Sequence, residues 1–152
     1  MKKRPDNIKI GVLALQGAVK EHIVMLEKCN VNAVEIRDTK ELEKVKGLII
    51  PGGESTTVGM LMDRYGFTGK IKKLYNDKEL AIMGTCTGLI ILSNQLISAK
   101  EGQRTLGLLD VRTKRNAFGR QAESFQAEID IDIYGKSKFP GIFIRAPIVS
   151  EI

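Results

Sequence analysis

Met83-Gly84-Thr85-Cys86-Thr87-Gly88-Leu89-Ile90 closes one apolar run and opens another, and its reading decides the fold of this chain. A small–x–Cys–x–small pattern between a strand and a helix builds a nucleophile elbow. The turn is so tight that the neighbours of the nucleophile must be Gly or small, and the sulfur is left exposed above the strand tips. The helix that follows points its N-terminus at the sulfur, which favours the thiolate. A buried structural Cys beside two strand-ending glycines would read the same way, so the elbow needs support from elsewhere in the chain.

That support is a second glycine turn. Gly47-Leu48-Ile49-Ile50 reads as a short buried strand and runs into Pro51-Gly52-Gly53-Glu54-Ser55-Thr56-Thr57. Gly52 and Gly53 can adopt backbone angles closed to other residues and present unhindered N–H groups. Acyl transfer requires such donors, because negative charge develops on the carbonyl oxygen at the transition state. Ser55 or Thr56 is expected to cap the next helix, whose body is the run from Val58 to Met62. One Pro-Gly turn after a strand is commonplace. Two, after two strands of one sheet, point to a site.

Working outward, strands and helices alternate. Residues 8–15 predict a strand and 17–28 a helix with an apolar stripe at Val19, Ile23 and Leu26, with Cys29 in step as a core residue. Residues 31–36 predict a second strand, and the charged linker 37–46 has room for a turn of helix. Strand 47–50 precedes helices at 58–64 and 69–75, and strand 80–84 leads through the elbow into a helix at 87–94. This β-α-β order implies a parallel sheet with helices on both faces and puts active loops at the C-terminal ends of the strands. Beyond Leu106 the texture changes. Residues 111–114, 124–133 and 142–144 alternate like strands, and turns such as Tyr134-Gly135-Lys136-Ser137 fit hairpins better than crossover helices.

Composition sets outer bounds. The 152 residues, 43% hydrophobic and 28% charged, suit one domain with a sizeable core. No apolar run approaches the ~20 residues of a membrane span. The basic start Met1-Lys2-Lys3-Arg4 is not followed by a long apolar stretch, so it does not read as a signal sequence. Two cysteines make no disulfide framework and suit a reducing, cytoplasmic setting. One His and two distant Cys make no zinc site. The net charge of +6 raises the question of nucleic acid, but the basic residues are scattered, Trp is absent and aromatics total 5%. Stacking platforms for bases are therefore missing, and the charge is better read as solvated surface, part of it facing an acidic partner protein.

Further segments carry a resemblance. They are Leu15-Gln16-Gly17-Ala18-Val19-Lys20-Glu21-His22, Leu106-Gly107-Leu108-Leu109-Asp110, Arg115-Asn116-Ala117-Phe118-Gly119-Arg120-Gln121 and Phe143-Ile144-Arg145-Ala146-Pro147. With the two glycine turns, and in this order, they resemble the glutaminase subunits of pyridoxal 5′-phosphate (vitamin B6) synthases, a family of class I, triad-type glutamine amidotransferases. The resemblance runs from about residue 8 to 147. It implies a three-layer α/β/α, flavodoxin-like fold, with a mostly parallel sheet and an antiparallel hairpin extension. The whole of 1–152 would be a single amidotransferase-like domain, C-terminally incomplete relative to the family.

The activity implied is hydrolysis of L-glutamine to glutamate and ammonia. Cys86 is the nucleophile and forms a γ-glutamyl thioester. The oxyanion donors fall on Gly53 and Thr87, and the glutamine contacts on Gly53, Glu54, Ser55, Arg115, Ile144 and Arg145. An Arg suits the α-carboxylate because its guanidinium forms a planar charged fork. Gln16 falls near the oxyanion loop and the route to the partner. That partner is a (β/α)8-barrel synthase subunit, which receives the ammonia through a tunnel and combines it with a pentose phosphate and a triose phosphate. The resemblance implies no cofactor, no metal, no nucleic acid and no membrane for this chain.

Two departures qualify these expectations. The family's His-Pro-Glu segment follows Phe-Ile-Arg-Ala-Pro at some distance, and no such segment occurs in the 152 residues. The only histidine, His22, matches a first-helix position and is expected to be a surface or half-buried imidazole, not the base. The expectation is a truncated or variant triad, and the alternative function is a catalytically silent subunit that docks the synthase. Thr87 stands where the family usually has Ala, and its β-branch is expected to crowd the elbow. A third reading, an elbow-cysteine enzyme of the intracellular peptidase and glyoxalase group, is disfavoured by the 51–57 and 115–121 motifs.

Overall fold

Four short runs pair in parallel: β1 (Lys9–Leu13), β2 (Asn32–Ile36), β3 (Gly47–Ile50) and β4 (Ala81–Gly84), in the order β2-β1-β3-β4. This computed structural model describes residues 8–97, 99, 101–131 and 137–152. A parallel sheet is covered on both faces, so its inner strands carry unbroken apolar sequence, and β3 is buried along its whole length. The crossovers are α1 (Val19–Lys28), a 3₁₀ helix at Thr39–Lys44, and the pair α2 (Ser55–Arg64) and α3 (Phe67–Asn76). Leu13, Ile36, Leu48 and Ile50 of the sheet join Val58 and Met62 of α2, and Phe67 and Ile71 of α3, in one core. All three layers of the expected α/β/α arrangement are present.

Helix α1 covers its face lightly, with no residue fully buried. Its stripe at Val19, Ile23 and Leu26 is half-buried, but Cys29 is exposed and not a core residue as its spacing suggested. The helix ends one residue earlier, at Lys28, and Asn30 turns the chain away with φ of 58°. Helical periodicity has no meaning past that point.

After β4 the elbow leads into α4 (Thr87–Leu92), shorter than the helix expected over 87–94. The Ser93 hydroxyl donates to the Ile90 carbonyl, and the Leu106 and Leu108 N–H groups donate to the carbonyls of Ile91 and Leu92. With those carbonyls satisfied by later chain, the helix gives way to a strand that the sequence did not announce, β5 (Ser93–Ile97). It pairs in parallel with β6 (Leu109–Lys114).

β7 (Phe125–Ile131) and β8 (Ser137–Phe143) form the expected antiparallel hairpin, while β9 (Ile148–Glu151), also unannounced, pairs antiparallel with β6. The turn read at Tyr134-Gly135-Lys136-Ser137 lies outside the described residues, apart from Ser137, which starts β8. The Phe125 and Phe143 rings stack with centroids 4.8 Å apart, and Phe118 leans on both. This fastens the 115–121 loop to the hairpin. No helix among the described residues is long and apolar enough to cross a membrane.

Two local devices aim the loops of the site. The first is close backbone packing. A Cβ added to Gly88 would lie 2.1 Å from the Ile50 carbonyl oxygen, and one on Gly84 would lie 2.3 Å from the Gly88 carbonyl carbon. Strand β3, strand β4 and α4 therefore meet backbone to backbone. The second is the cap of α2, which is Glu54 and not Ser55 or Thr56: its carboxylate accepts the N–H groups of Thr56 (3.2 Å) and Thr57 (2.7 Å) and the Thr57 hydroxyl (2.8 Å). Ser55 is already the first helical residue, and its buried side chain points to Gln103. Partial burial pushes the Glu54 carboxyl up, but the hydrogen bonds from Thr57 and Thr56 outweigh it and bring its pKa from 4.5 down to about 2.

Replacing Gly88 by Ala is expected to cost about 3 kcal/mol in urea unfolding, the upper end of what overpacking costs, because neither clashing group is a movable side chain. The Glu54 cap generates a pH signature. Its folded pKa is depressed, so the stabilisation is complete above the ordinary value of 4.5 and fades as pH falls toward about 2. The wild type should therefore exceed Glu54→Gln by about 1 kcal/mol near neutrality, the ordinary worth of a cap. That margin should shrink between pH 4.5 and 2, measured by urea titrations at stepped pH.

Candidate active site

Cys86 sits where β4 ends and α4 begins, with φ of 50° and ψ of −102°. A non-glycine residue in that region costs about 1–3 kcal/mol and persists only where the surroundings enforce it. They do so on both sides. The Thr85 N–H donates to the Ile50 carbonyl (3.1 Å) and the Gly88 N–H to the Thr85 carbonyl (2.9 Å), closing the turn beneath the cysteine. The thiol itself is exposed, as an elbow requires.

The two threonines beside it are each tied to a different element. The Thr85 hydroxyl lies 3.1 Å from His22 Nε2, and His22 Nδ1 lies 2.8 Å from the Ala18 carbonyl. A carbonyl only accepts, so Nδ1 carries a proton and donates it to Ala18, while Nε2 shares a hydrogen bond with the Thr85 hydroxyl. His22 is thus half-buried with both nitrogens occupied, bracing the elbow from α1. Thr87 is 2% exposed, and its hydroxyl donates to the Gly53 carbonyl. The expected crowding does not arise: the β-branched side chain fills a buried space and links the elbow to the glycine loop.

That loop is held from three directions. The Gly52 carbonyl accepts from the Ala18 N–H (2.8 Å), an approach that only a glycine at position 17 allows, because a Cβ on Gly17 would lie 1.9 Å from the Gly52 oxygen. Gly17 accordingly has φ of 115°. The Glu54 N–H donates to Gln16 Oε1 (2.8 Å), so Gln16 does reach the oxyanion loop. A Cβ on Gly52 would lie 3.5 Å from Cys86 Cβ, which places the loop directly beside the nucleophile.

Arg115 is joined to the same loop. Its guanidinium, with a side chain only 12% exposed, pairs with Glu54 Oε1 at 3.3 Å and reaches the Thr56 hydroxyl at 3.4 Å. It also donates to Gln103 Oε1, which takes further hydrogen bonds from Thr56 (3.1 Å) and Ser55 (3.4 Å). Gln103 is a member of the site that sequence reading missed. It lies in an irregular loop with no periodicity or motif to mark it, and only the fold brings it to α2.

Ile144 and Arg145 stand apart. Ile144 is 51% exposed, and Arg145, with φ of 46°, borders an open hollow of about 460 Å³ with Asn116, Gly119, Arg120 and Glu123. A hydrogen bond from the Ala117 N–H to the Ala146 carbonyl (3.0 Å) ties this hollow to the loop that carries Arg115. Arg145 forms no ion pair or hydrogen bond among the described residues. The fold thus links Gln16, Gly53, Glu54, Ser55, Thr87 and Arg115 through the glycine loop that adjoins Cys86, while Arg145 borders the hollow at residues 116–123.

Comparison with known proteins agrees with this geometry. Residues 12–152 match the SNO glutamine amidotransferase family. The pyridoxal 5′-phosphate synthase subunit PdxT of Dehalococcoides mccartyi is 49% identical over 144 residues, which cover 95% of this chain and 73% of that protein. Its counterpart in Pelotomaculum thermopropionicum is 45% identical, with 95% and 72% covered. A glutamine amidotransferase of known crystal structure superposes with a TM-score of 0.85 at 43% identity, covering 94% of this chain and 74% of that one. The PurLQS structure from Thermotoga maritima, 16% identical with a TM-score of 0.68, shares the fold alone. With an elbow cysteine, a glycine loop beside it and this extent of similarity, the chain belongs to the SNO glutamine amidotransferase family.

Proposed function

We propose that this chain is the glutaminase half of a two-component pyridoxal 5′-phosphate synthase. The observation that carries the reading is the exposed Cys86 on a strained elbow, with the Gly52-Gly53 loop against its Cβ. Cys86 Sγ adds to the side-chain carboxamide carbon of L-glutamine, and the proton lost by the thiol ends on the leaving nitrogen. The C–N bond breaks, ammonia departs, and a γ-glutamyl thioester remains. Water then adds to the thioester, the C–S bond breaks, and glutamate leaves with the thiol restored.

The N–H groups of Gly53 and Thr87 serve the oxyanion of both tetrahedral steps. Thr87 opens α4, so its N–H has no carbonyl one turn behind it. Glu54 and Ser55 line the loop that receives the substrate. Arg115 receives the α-carboxylate, exchanging its pairing with Glu54 for one with the ligand, and Ile144 and Arg145 close the far side. The ammonia passes to a (β/α)8-barrel synthase subunit, with Gln16 at the exit side of the loop, in a cytoplasmic setting.

A second reading rests on His22. With both ring nitrogens engaged by Ala18 and Thr85, it is not available to deprotonate Cys86. No other histidine occurs in the 152 residues. On this reading the chain binds glutamine and the synthase without turning glutamine over.

Two measurements test these readings. Ammonia release by the 152-residue chain, with and without the synthase barrel, is expected near background, since loss of one triad member costs roughly 10⁴-fold in rate. Robust turnover abolished by Cys86→Ala would mean that some other residue supplies the base. Both cysteines are exposed, so their relative labelling is informative. Peptide mapping after brief treatment with a limiting glutamine-shaped electrophile should find Cys86 modified well ahead of Cys29. Equal labelling would remove the case for a glutamine site at the elbow.

A further inference from the structure

The two peptide groups that flank Gly53 are both pinned, and by different means. In the Gly52–Gly53 peptide, the carbonyl is held by the Ala18 N–H at 2.8 Å. In the Gly53–Glu54 peptide, the N–H is held by Gln16 Oε1 at 2.8 Å and the carbonyl by the Thr87 hydroxyl. A trans peptide is planar, with its N–H and C=O pointing in opposite directions, so bonds at both ends fix the orientation of the plane. This matters at a Gly-Gly pair above all, because neither residue has a Cβ to restrict rotation. The Gly53 N–H belongs to the first of these planes, which the Ala18 bond holds at one end only; its other end, at the Gly53 Cα, is placed by the second plane.

We propose that the Thr87 side chain is a positioning residue for the oxyanion site: by holding the Gly53–Glu54 peptide while Ala18 holds the Gly52–Gly53 peptide, it fixes the rotation about the Gly53 Cα that the two planes share, and so the direction in which the Gly53 N–H meets the substrate oxygen. The proposal rests on the glutaminase reading above and adds a role for a hydroxyl that the reaction itself does not require. Thr87 is suited to it on three counts. Thr87 is 2% exposed, so its hydroxyl is shielded from water and directed to the Gly53 carbonyl. Branching at Cβ restricts χ1, so the hydroxyl is presented in few orientations. The same residue begins α4, so its own N–H is the other oxyanion donor. One residue thereby bears on both donors: it supplies one through its backbone, and its side chain anchors the peptide that follows the other.

The test uses two electrophiles on the whole chain and on Thr87→Val and Thr87→Ser. A chloromethyl ketone built on the glutamine skeleton loses chloride to Cys86 while its carbonyl oxygen occupies the oxyanion position. Iodoacetamide reacts with an exposed thiol without needing that position. Thr87→Val keeps the shape and removes the hydroxyl. It is expected to slow alkylation by the chloroketone about tenfold, less than the loss of a donor itself, while iodoacetamide is slowed less than about twofold. Thr87→Ser should recover most of the chloroketone rate.

An unchanged chloroketone rate in Thr87→Val overturns the proposal and leaves the glutaminase reading standing. Parallel slowing with both reagents also overturns it, since Thr87 would then merely support the turn. If the wild type shows no preference for the chloroketone over Cys29-type reactivity, the glutamine site itself fails and the proposal falls with it. Thr87→Ala needs no space that Thr87 does not already fill. It carries the same expectation should valine disturb the turn.

Discussion

The contact between the backbone of Gly88 and the Ile50 carbonyl sets the distance between the two loops of the site. A Cβ at Gly88 would lie 2.1 Å from that oxygen, so α4 presses on the end of β3 more closely than any side chain permits. The same Ile50 carbonyl accepts the Thr85 N–H. Strand β3 leads straight into the Gly52-Gly53 turn, and Thr85 leads straight into Cys86. One carbonyl group therefore serves as the common reference for the nucleophile and for the loop beside it. The strain at Cys86 is sustained because neither neighbour can relax without breaking this contact.

Around that point, polar groups with few alternatives tie the surrounding elements to the elbow. His22 reaches from α1 to Thr85, Gln16 reaches from the end of β1 to Glu54, and Thr87 reaches from α4 to Gly53. Each of these bonds runs between elements distant in sequence. The His22 and Thr87 bonds are partly buried, so a hydroxyl or carbonyl left without its partner there forfeits hydration as well, whereas the Gln16 bond is open to solvent. The arrangement places rigidity at the elbow and its loop, while the surface of α1, with no fully buried residue, carries little of the core.

Glu54 has two roles that pull in different directions. As the cap of α2 it accepts from Thr56 and Thr57, which keeps it charged far below the usual carboxylate range. As the partner of Arg115 it occupies the guanidinium that an incoming carboxylate would use. Gln103 shares that guanidinium, and its own Nε2 is buried with no hydrogen-bond partner among the described residues. A buried amide donor without a partner is costly, so the cluster of Arg115, Glu54 and Gln103 is the least settled part of the site.

The sequence alone determined the parallel β-α-β order, the elbow at Cys86 and the glycine loop at Gly52-Gly53. These depend on short-range rules: apolar runs of strand length, and turns that exclude side chains. It also placed His22 on the first helix, leaving open whether its ring lay on the surface or half-buried. Tertiary structure decided what those rules do not reach. The cap of α2 passed to Glu54 because the helix begins at Ser55, whose hydroxyl turns to Gln103. Helix α4 stopped at Leu92 because Leu106 and Leu108, from later chain, took its last carbonyls, and Cys29 was left in water because α1 ended before it. Gln103 and the Thr87 hydroxyl found their partners only across the fold. Local pattern specifies which backbone conformations are allowed, whereas a hydrogen bond between residues thirty or more positions apart depends on the packed distances between elements, which no local pattern contains.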